Sequence, residues 1–441
     1  MQIASQYKMA TDMSKRILVW FRNDLRLHDN EMLVEAIAKS DYILPVYFFD
    51  PRQFETTIYG TLKTGLIRTQ FLLENVEALR ESFRKLGGDI LILTGKPEDH
   101  LPELVSTYEI TEVYHHREVA NEETAISTQV EDLLWKLKIN LKHFIGHTLY
   151  NKEDLPFPIK DIPDVFTQFK KKTERDAVVK PCFLTPTEIS FLTIADWGTM
   201  PVLNELLPNE KIDPLAQPIL FKGGEVEAFK HLDDFLLTGE GMANANTIVK
   251  KNAVVANLSA WLAVGSLSPR EVYWKLKESE ANYGLKPYFG QIILGLLWRD
   301  YFRFMFKKYG NTFFKQEGFK QEAQATLPIQ QSTALIQWKT ANTGHVVVDS
   351  IMEELNTTGY INNSSRMLVA IYLITELKVN WIMGAAYFEE KLIDYNPASN
   401  WGNWANIAGV GNDQRLSASF SFEKQLKNFD PKGTYAQVIR A

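Results

Sequence analysis

The first third of the chain alternates short strand-like runs with longer helical patterns, and this alternation limits the fold more than any other feature. The strand-like runs are Arg16–Phe21, Tyr42–Phe49, Ile90–Leu93, Glu112–His115 and Leu141–Ile145. The helical patterns lie between them, at Glu31–Lys39, Thr64–Leu86, Glu98–Tyr108 and Glu122–Lys138. Such alternation predicts an α/β domain with a doubly wound, mostly parallel sheet. The glycine patterns typical of dinucleotide-binding and P-loop folds do not occur in this part of the sequence.

The rest of the chain changes character twice. From Tyr150 to Pro218 prolines recur and apolar periodicity fades, which predicts a long connector over the surface of the fold. Beyond Gly224 the patterns are helical, at Glu225–Leu237, Lys250–Val264, Pro269–Glu278, Tyr288–Tyr309, Val347–Asn356, Asn363–Lys378 and Met383–Leu392. We therefore expect an α/β domain at residues 15–150, a connector at 151–220 and an all-α domain at 221–441.

The composition is that of an ordinary globular protein. Hydrophobic residues make up 45% of the 441 residues, and no apolar run is long enough to predict a membrane span. A single cysteine, Cys182, argues against a disulfide framework and favours the cytoplasm. The first fourteen residues lack the pattern of a signal or transit peptide. The net charge of -6 argues against indiscriminate nucleic-acid binding, although a local basic face would still permit it.

The segment Asp394–Trp404 concentrates polar groups unusually. It carries a carboxylate, three side-chain amides and two tryptophans, directly after the apolar run Phe388–Ile393. Polar groups at this density need hydrogen-bond partners from the chain, from water or from a polar ligand. A capped loop between two helices is the simpler interpretation.

The sequence of Asp394–Trp404 resembles the flavin loop of the photolyase/cryptochrome family, and most closely that of its DASH cryptochrome branch. Three further stretches agree with it: Trp20–Asn30, Leu267–Arg270 and Leu297–Arg303. The resemblance implies an N-terminal antenna domain and a helical domain that holds FAD. It also implies the family's reaction, a blue-light electron transfer from reduced FAD to a cyclobutane pyrimidine dimer in single-stranded DNA.

By this resemblance, eight residues of the helical domain would contact FAD: Ser259, Arg299, Asn363, Arg366, Asp394, Tyr395, Asn396 and Asn400. Asn400 matches the amide that faces the flavin's reactive nitrogen, and Arg366 and Asp394 match an ion pair set against the flavin ring. Simpler alternatives exist for three of them. Asn400 would cap the turn that follows it, Asn363 would be a helix N-cap, and Arg366 would be a solvent-exposed arginine.

Trp404 and Trp381 match the first two members of the family's electron-transfer chain, so the resemblance makes them catalytic together with Asn400. Closely spaced indoles are required there because electron tunnelling weakens steeply with distance. Core packing is the alternative for both. The third tryptophan is absent from the expected region, Gln321–Gln331. Another residue, Tyr387 or Tyr395, would have to provide the route to the surface.

The resemblance also assigns residues to DNA and the lesion. Trp298, Arg299, Trp338 and Tyr360 match positions around the mouth of the cavity that receives a flipped-out dimer, where aromatic faces replace lost base stacking. Arg303 lies one helical turn after Arg299 and suits a phosphate contact. Two arginines extending from an amphipathic helix to solvent are the alternative.

Several departures from the family pattern bear on activity. Gly295 stands where repair enzymes carry a glutamate, and Ser364 replaces a DNA-facing arginine. Ala256–Ser259 keeps only Ser259 of a phosphate-binding segment, Met242–Thr247 replaces a polar passage, and Asn396 replaces an aspartate. Each change removes a hydrogen bond or charge that contributes about 1–3 kcal/mol. We therefore expect weakened repair, with a non-repairing photoreceptor or a degenerate paralogue with an altered cofactor pocket as alternatives.

A second chromophore is implied as well. The segment His115–Glu123 resembles the DASH segment that binds the folate antenna, 5,10-methenyltetrahydrofolate, and Glu122 is the expected pterin ligand, with Glu118 second. Glutamates that favour a helix N-terminus are the alternative. Single-stranded DNA is the expected partner, while no membrane partner and no metal are expected; the sequence identifies no protein partner.

Overall fold

The computed structural model of the protein describes residues 14–210, 220–238, 256–320, 328–413, 421–431 and 433. One sheet contains five strands: β1 (Arg16–Phe21), β2 (Tyr42–Phe49), β3 (Leu91–Thr94), β4 (Glu112–His116) and β5 (Asn140–Phe144). All pairings are parallel and the strand order is β3-β2-β1-β4-β5. The order changes direction at β1, as in a doubly wound sheet. The predicted fold class of this half is therefore confirmed.

Helices cover both faces of this sheet: α1 (Glu31–Lys39), α2 (Leu66–Lys85), α3 (Pro97–Thr107) and α4 (Asn121–Lys136). Side chains alternate along β1, so that Ile17 and Val19 face one core while Leu18 and Trp20 face a second, smaller core. The first core is continuous with that of the helical half. One sheet face therefore supports the second half of the molecule.

The connector is more structured than the sequence predicts. It contains α5 (Phe166–Asp176) and α6 (Leu203–Leu206), and α5 buries only Phe166, Phe169 and Thr173 among charged neighbours. A helix with so few apolar residues is not predicted from the spacing of apolar residues in the sequence. The connector also bonds to the sheet, because the amide of Ile43 donates to the carbonyl of Ser190 at 2.9 Å.

The remaining described helices lie in the second half of the chain: α7 (Glu225–Thr238), α8 (Ser259–Val264), α9 (Pro269–Tyr283), α10 (Phe289–Tyr309), α11 (Thr333–Lys339), α12 (Val346–Thr358), α13 (Asn363–Thr375), α14 (Trp381–Lys391), α15 (Pro397–Ile407) and α16 (Phe422–Phe429). The predicted helical character is confirmed, although α11, α15 and α16 were not predicted. None of the helices in the described ranges is long and apolar enough to cross a bilayer.

Buried charges join the two halves beyond the carboxyl end of β1. The Asp29 carboxylate accepts from Arg270 Nε at 3.0 Å and Nη2 at 2.6 Å. Arg26, which is fully buried, donates to the carbonyls of Gly146 and Gly265, both at 2.8 Å. Charges are tolerated in such a place only when paired or fully hydrogen-bonded. These bonds fix the helical half against the carboxyl ends of the strands.

Candidate functional site

Arg366 and Asp394 form an ion pair between α13 and the turn that precedes α15. Nη2 of Arg366 lies 2.9 Å from Oδ1 and 2.8 Å from Oδ2 of Asp394, and its Nε donates to the carbonyl of Ile361 at 2.8 Å. The Asp394 side chain is 3% exposed and that of Arg366 24%. The alternative of a solvent-exposed Arg366 is therefore wrong, because two protein partners fix its guanidinium.

Two asparagines position the start of α15. Oδ1 of Asn396 accepts from the amide of Ser399 at 3.2 Å, and Pro397 occupies the first helical position, so Asn396 is the N-cap. Asn400 lies inside the helix, buried, and its Nδ2 donates to the carbonyl of Ala385 on α14 at 3.0 Å. Most of Asp394–Trp404 is thus helix rather than loop, and Asn400 is not a cap.

Tyr360 lies beside the ion pair, with its ring centre 5.5 Å from the guanidinium carbon of Arg366. Its hydroxyl donates to Oδ1 of Asn257 at 3.0 Å, and Ser259, the first residue of α8, is a second polar neighbour. Burial raises the pKa of Tyr360 to about 12. The side chain is 5% exposed, so Tyr360 is part of a wall rather than of an open mouth.

The first turn of α13 is open to solvent. Asn363 and Ser364 are both exposed. Asn362 caps the helix, because its Oδ1 accepts from the amide of Ser365 at 3.0 Å. The expected N-cap at Asn363 was therefore wrong by one residue.

Trp404 and Trp338 belong to one buried aromatic cluster. Their ring centres are 6.4 Å apart, and Phe388 lies 5.1 Å from Trp404. Trp404 also packs against Gly384 of α14, where a side chain would collide with its indole. Trp338 is 0% exposed and its Nε1 donates to the carbonyl of Val369 at 3.1 Å. This differs from the expected place of Trp338 at a cavity mouth, because core packing encloses the ring completely.

Trp381 contacts a tryptophan that the sequence interpretation did not single out. Its ring centre lies 5.9 Å from that of Trp401 at an interplanar angle of 75°. Nε1 of Trp401 donates to the Tyr395 hydroxyl at 3.2 Å. The sequence signal was the spacing of Trp401 and Trp404, which places two indoles three residues apart on one helix.

Arg299 and Arg303 are not surface arginines. Arg299 donates to the carbonyls of His147 and Leu262 at 2.8 Å and 2.5 Å, and burial together with Arg303 lowers its pKa to about 10. Nη2 of Arg303 lies 2.9 Å from Oε2 of Glu118, and Arg303 is 3% exposed. The expected phosphate contact of Arg303 and the solvent-exposed alternative are both wrong, since a carboxylate of the first half binds this side chain.

The exposed side of α10 contains Gly295 and the half-buried Trp298. The Trp298 ring is stacked on Phe166 of α5, with ring centres 3.5 Å apart and planes 10° apart. A Cβ added at Gly295 would meet no atom within 4 Å. A glutamate at this position would therefore have room.

The two candidate antenna ligands have different environments. The Glu122 side chain is 64% exposed and ion-paired with Lys63. Glu118 is buried, and besides Arg303 its carboxylate accepts from Asn23 Nδ2 at 3.2 Å. Glu118 is thus committed to bonds within the chain, while Glu122 lies at the surface.

Two sequence features lie partly or wholly outside the described residues. Met242–Thr247 is outside them, as are residues 321–327 of the region that lacks the third tryptophan.

Comparisons with known proteins agree with this geometry. Residues 17–187 match the DNA photolyase family, and residues 292–438 match the FAD binding domain of DNA photolyase. Cryptochrome DASH of Gloeobacter violaceus is 38% identical over 435 residues, covering 96% of this chain and 85% of the relative. Cryptochrome DASH of Synechocystis sp. is 38% identical over 426 residues, covering 95% of this chain and 86% of the relative.

Solved structures give the same result. The Synechocystis sp. PCC6803 cryptochrome superposes with a TM-score of 0.86 at 38% identity, covering 96% of this chain and 88% of that chain. An archaeal photolyase from Sulfolobus tokodaii, described with two FAD molecules, superposes with a TM-score of 0.75 at 26% identity, covering 96% and 89%. The chain therefore belongs to the photolyase/cryptochrome family, is similar to its DASH cryptochromes, and contains the family's FAD-binding domain.

Proposed function

We propose that this chain is a blue-light flavoprotein that holds FAD around the Arg366–Asp394 pair. The residues present fit such a ligand. Within the described ranges, Nη1 of Arg366 and Oδ1 of Asn400 have no protein partner, so a donor and an acceptor remain for it. When bound, FAD would supply light absorption and single-electron chemistry. Asp394 would orient Arg366, and the packed helices would exclude water.

We propose further that the protein repairs pyrimidine dimers in single-stranded DNA only weakly. The observation that carries this proposal is the open surface of α10 at Gly295, where no side chain occupies the space of the family glutamate. Ser364, exposed on α13, supplies no cation in place of the family arginine. Aromatic stacking tolerates any base, whereas hydrogen bonds discriminate the lesion. Binding to single-stranded DNA should therefore be weak, sensitive to salt and nearly indifferent to the dimer.

A photoreceptor that repairs nothing is the second candidate, and the enclosure of Trp338 and Arg303 favours it. Both were expected to meet DNA, yet Trp338 is 0% exposed and Arg303 is ion-paired with Glu118. The aromatic residues beside α14 and α15 would then serve light-driven flavin reduction alone.

Illumination of a dimer-containing single-stranded oligonucleotide tests these candidates. After the FAD content is measured from the visible absorption spectrum, loss of the dimer is followed for the parent and for Gly295→Glu with Ser364→Arg. We expect slow repair by the parent and faster repair by the double variant. Rapid repair by the parent would contradict the proposal, and no repair by either protein would favour the photoreceptor.

Gly290→Glu is the matched control. Gly290 lies on the same helix, and a Cβ there also meets no atom within 4 Å. The variant adds the same charge to the same helix at a different position, in its first turn. Its repair rate should equal that of the parent; an increase would show that the charge acts without contacting the lesion.

We also propose that 5,10-methenyltetrahydrofolate binds between α4 and α15. Tyr59 of the first half lies 6.3 Å from the Trp401 ring, and Glu122 with Lys63 lies at the start of α4. Aromatic faces and an exposed carboxylate suit a pterin ring. Glu122→Gln should reduce folate fluorescence in the purified protein without changing its FAD content.

The single cysteine supports a cytoplasmic location.

A further inference from the structure

We propose that the oxidising equivalent passes from Trp404 through Trp381 and Trp401 to Tyr395, which is the last residue of the route. Glu389 then accepts the proton of Tyr395. The inference rests on the proposed function, because Trp404 must first be oxidised under light. It assigns a route where the expected third tryptophan is absent from the sequence.

Trp381, Trp401 and Tyr395 are close together. Trp404 packs against Gly384, one helical turn after Trp381 on α14, and the Trp381 ring centre lies 5.9 Å from that of Trp401. The indole N–H of Trp401 is 3.2 Å from the Tyr395 oxygen. The last two steps therefore join neighbouring side chains, as electron tunnelling requires, and in the first step Trp404 and Trp381 both lie on or against α14.

Tyr395 has a base beside its hydroxyl. Arg68 connects Glu389 to Tyr395, because its Nη2 donates to the Glu389 backbone carbonyl at 2.7 Å and its guanidinium carbon lies 4.6 Å from the Tyr395 ring centre. Glu389 is 8% exposed. Burial raises the pKa of Glu389, against the opposing charges of Arg68 and Lys63 and with the added repulsion of Glu123. A phenol that loses an electron becomes a strong acid, so a neighbouring carboxylate takes its proton.

The charges around Tyr395 also suit the positive charge (the hole) that the ring carries after it loses an electron. Glu389 and Glu123 favour positive charge on the ring, while Arg68, with its guanidinium carbon 4.6 Å from the ring centre, opposes it. Burial strengthens these effects, since screening by water is weak there. A neutral tyrosyl radical, formed once the proton has left, experiences little repulsion from Arg68.

Tyr387 is the competing terminus and is less suited to the role. Lys339 and Lys391 lie 5.3 Å and 5.6 Å from its ring centre, so two cations oppose a hole. Its hydroxyl donates to Oδ1 of Asn356 at 2.6 Å and to the Lys339 carbonyl at 3.0 Å. Amide oxygens are poor proton acceptors, and Glu390 acts on Tyr387 only through its charge.

Oxidised Trp404 takes one electron from Trp381, which takes one from Trp401, which takes one from Tyr395. The Tyr395 O–H bond breaks and its proton passes to Glu389, which leaves a neutral tyrosyl radical and a protonated carboxyl group. A thiol reductant outside the protein then gives one hydrogen atom to the phenoxyl oxygen, and Glu389 releases its proton to water.

Oxidation of the full chain in the dark tests the last step without using the flavin. Azidyl radicals generated by pulse radiolysis oxidise tryptophans, and transient absorption then follows the tryptophanyl and tyrosyl radical bands. With ten tryptophans and 17 tyrosines in the chain, the informative quantity is the difference between variants. Tyr395→Phe should lose a fast phase of tyrosyl formation that Tyr387→Phe retains. Equal traces for the two variants would overturn the route.

Illumination of the flavin-loaded protein tests the complete route. Electron paramagnetic resonance should detect a tyrosyl radical in the parent and in Tyr387→Phe, a loss in Tyr395→Phe, and a reduced yield in Glu389→Gln. A tyrosyl signal that survives Tyr395→Phe but not Tyr387→Phe would assign the terminus to Tyr387 and overturn the proposal. If the parent shows no photoreduction at all, the proposed function fails, whereas the azidyl experiment still decides the transfer to Tyr395.

Discussion

Nη2 of Arg303 on α10 lies 2.9 Å from Oε2 of Glu118, in the loop after β4. The two side chains are 4% and 6% exposed. Glu118→Gln leaves this guanidinium buried without an anion, and we expect the free energy of unfolding to fall by about 3 kcal/mol. Urea denaturation measures the change. Glu122→Gln, which breaks an exposed pair, should cost less than about 0.5 kcal/mol; equal losses would contradict the prediction.

Asp300 should make stability depend on pH. Burial raises its pKa to about 7, although the amides of Leu149 and Tyr150 each donate to it at 3.0 Å. The value in the unfolded chain is near 3.8, so the folded protein binds the proton more tightly. The resulting stabilisation, on the order of 4 kcal/mol, is fully present below about pH 4 and is lost as the pH rises to about 7.

Asp300→Asn removes this titration. The free energy of unfolding of the variant, relative to that of the parent, should therefore rise from pH 4 to pH 7 by most of this amount, about 3 kcal/mol. Denaturant titrations of both proteins over this range measure the difference. A difference that does not change with pH would show that folding does not raise the pKa of Asp300.

Asp394→Ala should remove bound FAD. Without the carboxylate, Arg366 keeps only the carbonyl of Ile361 as a hydrogen-bond partner among the described residues, and its guanidinium loses its orientation. The ratio of flavin absorbance to protein absorbance after dialysis measures the loss. Asp89→Ala, which breaks the distant pair with Arg80 at 2.9 Å, is the control and should keep its FAD. Full occupancy in Asp394→Ala would show that the ion pair does not hold the cofactor.

Trp404→Phe should abolish photoreduction of bound FAD, because phenylalanine is far harder to oxidise than tryptophan. Trp381→Phe should slow it. Trp338→Phe creates a similar cavity next to Trp404, whose ring centre is 6.4 Å away, and should leave the rate near that of the parent. Anaerobic illumination with a reductant measures these rates. If Trp404→Phe behaves like Trp338→Phe, the first electron donor is another residue.

The sequence predicted the sheet well because β1, β2 and β3 carry dense apolar runs and helical patterns separate all five strands, whereas α5 and α15 were missed for different reasons. Only three residues of α5 are buried. In α15 the turn-forming Asn396, Pro397 and Ser399 dominate the local pattern, although Asn396 and Pro397 start the helix. Local composition does not distinguish a loop from a capped helix start.

Burial was harder to predict from the sequence than residue proximity. Arg366 and Asp394 were paired correctly through their family motif, while Arg303 was expected at a surface. The helical spacing that placed Arg303 next to Arg299 carries no information about Glu118, which lies 185 residues away along the chain. Contacts of this range depend on how the two halves pack, which periodicity cannot reveal.

The connector affects more than the position of the helices. β3 is an edge strand, and the amide of Ile92 on it donates to the carbonyl of Trp197 at 3.0 Å. Gly198, with φ +67°, packs so closely on the Ile92 carbonyl that a side chain would not fit. An uncovered edge strand is a template for pairing with other chains. A proteolytic cut between Ser190 and Gly198 should therefore show itself first as aggregation of a protein that still carries its chromophore.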